Sequence, residues 1–172
     1  DKGSASASFL VSAGPDQNQA INLIALARAK EFKNALEETE EHWDELLKNV
    51  PMPNTDNERI QEMALRSIIV LLLGYCRDTG AMVASISTQP PYGEDWQRDG
   101  SYSNEALLAA GFSDLVRNHN LFYAKVQSQP GNKLAMVPEG NWASNYYADG
   151  VPGFPMLWWE IDETGFALWT LY

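Results

Sequence analysis

The chain has 172 residues, enough to bury a real core, and ordinarily one domain. Its 12 Lys and Arg against 23 Asp and Glu leave a formal net charge of −11, which repels phosphates and argues against nucleic acid and anionic membrane surfaces as partners. Aromatics make up 11% of the chain, six of them Trp, a richness that serves core packing most often and ligand stacking less often. Cys76 is the single cysteine, so no intrachain disulfide can form, and its place at the end of an apolar run reads as a buried small hydrophobe. His42 and His119 lie far apart without Cys or acidic partners at ligand spacing, so neither a metal site nor a cofactor is expected. The flanking Asn118 and Asn120 suit a surface position for His119 better than a catalytic pairing.

Residues 4–14 alternate small polar and apolar side chains before Gly14-Pro15, the pattern of one β-strand whose neighbours this chain does not supply. From Asp16, a capping residue, the period becomes helical, with Ala20, Leu23, Ile24 and Ala27 on one stripe. A second helical run from Phe32 carries Glu37, Glu38, Glu40, Glu41, Asp44 and Glu45 on a solvated face and ends at Pro51 and Pro53. Asn54 or Asp56 then caps a helix to about Cys76. Its stretch 67–74 is apolar nearly all round, far too short to span a bilayer, and is expected to be buried on most sides.

After the break at Asp78-Thr-Gly80 comes the loop Tyr92-Gly-Glu-Asp-Trp-Gln-Arg-Asp-Gly-Ser-Tyr102, which runs into the helical pattern Asn104–Ala110. Asp99 falls at or just before the first helical turn, where free N–H groups and the helix dipole favour an anion. Arg98 offers a planar fork of donors, Asp99 offers acceptors, and Trp96 offers a flat apolar face of the size of a sugar ring. Such a triplet suits a polyhydroxylated ligand; an N-cap aspartate beside a structural arginine is an equal reading of the same residues. Gly111 stops the helix, and Ser113 caps another, making an antiparallel hairpin.

The glycine- and proline-rich stretch 128–155 carries Trp142, Tyr146, Tyr147 and Phe154, too aromatic and too long for a passive connection. Beyond it, Asp162 reads as the cap of a final apolar helix and Glu160 stands beside Trp159. The scheme therefore repeats. An aromatic-rich loop delivers acids to the start of an apolar helix at Asp99 and again at Asp162.

Three stretches carry a family resemblance: Arg66-Ser-Ile-Ile-Val-Leu-Leu with Asp78-Thr-Gly-Ala-Met-Val-Ala-Ser, the Trp96-x-Arg98-Asp99 loop, and Glu160-Ile-Asp-Glu-Thr-Gly-Phe-Ala-Leu-Trp169. They resemble glycoside hydrolase family 15, the glucoamylases and glucodextranases among the six-hairpin glycosidases. The resemblance implies a mainly α fold, part of an (α/α)6 toroid. Residues 1–15 would be the last strand of an upstream β-sandwich, 16–53 a helical linker, and 54–172 the first part of the catalytic barrel. It implies an inverting, exo-acting α-glucosidase in which Trp96, Arg98 and Asp99 hold the terminal glucose and Trp142 lies at the pocket rim. Tyr92, Glu160 and Asp162 are further candidates for that subsite.

Both catalytic glutamates of the family lie farther along the chain than Tyr172, so no catalytic residue is assigned. The partners implied are an α-glucoside oligo- or polysaccharide and the remainder of the same polypeptide, without which this piece is expected to be inactive. A trehalase, a disaccharide phosphorylase and a non-catalytic carbohydrate-binding helical domain are the alternatives; the absence of a basic phosphate cluster weighs against the phosphorylase.

Overall fold

A computed structural model describes residues 3, 5, 7–86, 93–134, 136–153 and 159–172. The expected loop residue Tyr92 and the aromatic Phe154 lie outside them. The fold is mainly α, with six helices and one two-stranded sheet among the described residues. The chain divides into two compact units, Asp1–Asn49 and Val50–Tyr172.

The first unit holds α1 (Gln17–Arg28) and α2 (Phe32–Leu47). Asp16 caps α1 as its sequence predicts, accepting from the Gln19 N–H at 2.9 Å. Neither helix buries a residue completely. Residues 7–14, within the strand expected over 4–14, take no ladder partner among the described residues. An alternating pattern supplies one face for a sheet, but a strand exists only through pairing, and this unit offers nothing to pair with.

The second unit begins with α3 (Glu58–Gly74). Its cap is Asn57, one residue past the expected Asp56 and three past Asn54; the Asn57 side chain accepts from the Arg59 N–H at 3.1 Å. The apolar run 67–74 is covered on one side only, by the cluster of Met82, Leu107 and Val116 with Leu71, Leu72, Tyr75 and Phe112. Val70 and Leu73 stay exposed, so the expectation of a helix buried on most sides holds for half its circumference. Gly80 ends the turn after α3 at φ +85°, and a Cβ there would sit 2.5 Å from the Asn118 carbonyl oxygen. Only glycine satisfies both the left-handed backbone and that approach.

Next come β1 (Asp95–Trp96), α4 (Gln97–Ala109), α5 (Ser113–Val126), β2 (Asn145–Tyr146) and α6 (Ile161–Leu171). The pattern at Asn104–Ala110 therefore belongs to a helix that starts earlier, with Trp96 as its cap and Asp99 in its first turn. Gly111 (φ +89°) closes α4, and the hairpin with α5 forms as expected, though Ser113 is the first helical residue and Phe112 the cap. β1 and β2 pair antiparallel, Asp95 opposite Tyr146 and Trp96 opposite Asn145. This pairing clamps the 128–153 loop against the start of α4. The larger core lies beneath it, built from Ala81, Phe122, Tyr123, Val126, Val137, Trp142, Ala143, Tyr146 and Ala167.

Candidate functional site

Asp95, the residue before Trp96, is fully buried and saturated. Its carboxylate accepts from the Met82 N–H at 2.7 Å and the Tyr123 hydroxyl at 2.9 Å, and lies 2.8 Å from His119 Nε2. His119 Nδ1 reaches Asn104 Oδ1 at 2.8 Å, and the Asn104 amide nitrogen donates to the Thr170 hydroxyl at 2.6 Å. Thus β1, α4, α5 and α6 share one hydrogen-bonded chain. His119, expected at the surface from its Asn neighbours, is instead completely buried. The helical period decides: three and four residues on from His119, Phe122 and Tyr123 face the same core. Burial, and after it the charge of the neighbouring Asp95 and the hydrogen bond to it, push the Tyr123 phenol well above its ordinary range, so it stays a hydrogen-bond donor.

Gly100 makes this packing possible. A Cβ at that position would lie 2.2 Å from the Tyr123 hydroxyl and 2.7 Å from the His119 ring. The first turn of α4 can pass over the buried histidine only without a side chain there. That in turn fixes where Arg98 and Asp99, on the same turn, are presented.

The starts of α4 and α6 come together at Arg98. Its backbone N–H, one of the orphan donors of the first turn, donates to Glu163 Oε2 at 2.7 Å. Its guanidinium Nη1 lies 2.5 Å from Asp162 Oδ2 and 3.2 Å from Glu163 Oε1. Ser101 Oγ, one turn on, donates to the Phe166 carbonyl at 2.9 Å and continues the seam. Sequence reasoning found Arg98 and Asp162 but read Glu163 only as an acid near a helix start; it is fully buried between them. A signal was available: the repeat of acids at helix starts placed two carboxylates on successive residues of the second helix, and one of them faces the first.

Burial raises the Glu163 carboxyl from 4.5 to about 7, outweighing the Arg98 N–H and charge, which pull the other way. Burial also works against the Arg98 charge, but Glu163, Asp162 and Asp99 together leave its pKa raised, so it remains a cation. The guanidinium side chain is 40% exposed and Asp162 49%, whereas Asp99 stands exposed in the first turn of α4. Trp96 is half-buried as the residue leading into that turn. Glu160 is the α6 cap residue in position only; its side chain caps nothing, and its Oε2 is buried without a hydrogen-bond partner among the described residues. Asp162, expected as the cap, lies in the first turn.

Trp142, expected at a pocket rim, is 1% exposed in the larger core, with its indole N–H donating to the Tyr123 carbonyl at 2.7 Å. An aromatic in a loop gains more from filling a core than from facing water, and the β1–β2 pairing draws this loop inward. An open apolar cleft of about 440 Å³ lies away from Arg98, lined by Val50 to Pro53, α3 and the end of α4; its apolar walls do not suit a sugar.

Residues 58–136 match the family model of glycosyl hydrolases family 15. The chain is also similar to an uncharacterized glycosyl hydrolase of Methanocaldococcus jannaschii, 30% identical over 115 residues. That alignment covers 67% of this chain and 17% of the archaeal protein, so the chain spans about one sixth of that relative's length. No solved structure matches the chain.

Proposed function

Starting from residues 58–136, which belong to glycosyl hydrolases family 15, we propose that the chain is part of an inverting, exo-acting α-glucoside hydrolase and carries half of its terminal-glucose subsite. Arg98 and Asp99 grip hydroxyls of the non-reducing terminal sugar, and Trp96 packs against its ring. One observation carries this reading: an arginine is held by two carboxylates where two helices begin, with its neighbour Asp99 exposed. All three gripping residues fall inside the matched segment. A cation and an anion fixed side by side offer a sugar both donors and acceptors without rearrangement, so little ordering cost falls on binding. Inversion needs a protonated carboxyl at the leaving oxygen and a carboxylate activating water on the opposite face. Those groups belong to the remainder of the polypeptide. In the same reading, residues 1–15 come from a preceding β-sandwich, 16–53 link it to the barrel, and 54–172 open the toroid.

The test is turnover of maltose, isomaltose, dextran and trehalose by the full-length gene product, with the anomer of released glucose followed by NMR. Release of β-glucose from an α-glucoside is expected. Turnover of trehalose alone would favour a trehalase, and no turnover on any of the four would sink the reading. In the active enzyme, Asp99→Asn is expected to lower kcat/KM roughly a hundredfold, since a charged acceptor is lost where the sugar is held. A near-normal rate removes Asp99 from the site.

A further inference from the structure

Glu163 is fully buried, so it is shielded from any ligand, yet it makes two contacts to Arg98, one of the three residues proposed above to grip the sugar. Its Oε2 takes the Arg98 backbone N–H, and its Oε1 stands 3.2 Å from Nη1. The α4 cap residue, Trp96, has no side-chain acceptor for that N–H; Glu163 supplies it from another helix. Asp162 meets the same nitrogen, Nη1, from the solvent side. Both carboxylates meet the guanidinium at the same nitrogen, Nη1, one from the buried side and one from the half-exposed side. Glu163 thus holds the Arg98 backbone by a hydrogen bond and pairs with its guanidinium by charge, while Asp162 supplies the hydrogen bond to the head. Lysine or an unsupported arginine would spend rotamer entropy on every binding event.

We propose that Glu163 is a positioning residue for the sugar subsite, acting through Arg98 by anchoring both its main chain and its guanidinium from α6. The inference rests on the reading of Arg98 as a sugar ligand.

The experiment measures D-glucose binding to the full-length protein by calorimetry for the wild type, Glu163→Gln, Arg98→Met and the double variant, each first shown folded by its thermal transition. Arg98→Met tests the parent reading: glucose binding unchanged by that substitution would sink the sugar grip itself. Given a loss there of roughly tenfold or more, Glu163→Gln is expected to weaken binding roughly five- to tenfold alone and less than twofold in the Arg98→Met background. A merely structural Glu163 would weaken binding equally in both backgrounds, and that result overturns the proposal. Wild-type affinity in folded Glu163→Gln overturns it too, while Arg98→Met still speaks for the grip. Should Glu163→Gln fail to fold, Glu163→Asp, which keeps the charge at shorter reach, replaces it in the same cycle under the same criteria.

Discussion

Two polar clusters flank the first turns of α4, and they are built to opposite ends. Around Asp95, His119, Asn104 and Tyr123, every group is buried and its hydrogen-bonding capacity is consumed by protein partners. Around Arg98, one carboxylate is buried and the other half-exposed, the guanidinium itself is 40% exposed, and Asp99 stands in solvent. A saturated network has nothing left to offer a ligand; its yield is rigidity. In the proposed reading, the less saturated cluster beside it inherits that rigidity and holds the sugar. The buried hub therefore serves the site by holding it still.

The sharpest way to break this comparison is His119→Ala. It removes the partner of a buried carboxylate and opens a cavity, and a cost of about 3–5 kcal/mol is expected. Chemical denaturation of the full-length protein should show the loss. A cost under about 1 kcal/mol would mean the hub is not the anchor described.

The second test separates the clusters by pH. The Glu163 carboxyl is raised from 4.5 to about 7 in the folded protein. A group with a raised folded pKa contributes stability that is complete below pH 4.5 and is lost as pH rises through about 7, here on the order of 3 kcal/mol. Glu163→Gln removes that dependence while keeping an acceptor for the Arg98 N–H. The Tm of the variant should rise relative to wild type between pH 5 and pH 8. Parallel Tm curves across that range would show that burial does not govern this carboxyl.

Much of this was legible beforehand, and the failures share a cause. Asp16 as a cap, Gly111 as a stop and the α4–α5 hairpin each depend on a few neighbouring residues, so local pattern sufficed. Residue chemistry and the family resemblance both pointed to Trp96, Arg98 and Asp99, though not to a helix that already begins at Gln97. What was missed depends on distant partners. His119 looked exposed because its immediate neighbours are Asn, while the acceptor that buries it lies 24 residues away at Asp95. Glu163 was legible only as an acid near a helix start, because the partner that gives it a role is 65 residues earlier in the chain. The 7–14 segment has a strand's alternation and no strand, since its pairing partner is not among the residues that surround it.

Trp142 offers the smallest and most discriminating effect, because the two placements of this residue predict opposite readouts. In the core, its indole N–H satisfies the Tyr123 carbonyl beneath the site, and its ring packs with Tyr146 and Phe122 in the same cluster. Trp142→Phe then costs about 1–3 kcal/mol, from the lost indole hydrogen bond to a carbonyl that keeps only its Gln127 N–H, and from the volume lost with the smaller ring. The KM for maltose should stay within about twofold, since the substitution leaves Arg98 and Asp99 untouched. At a pocket rim the same change would spare stability and raise KM as stacking area on the sugar is lost. An unchanged Tm with a raised KM would move Trp142 out of the core and onto the ligand.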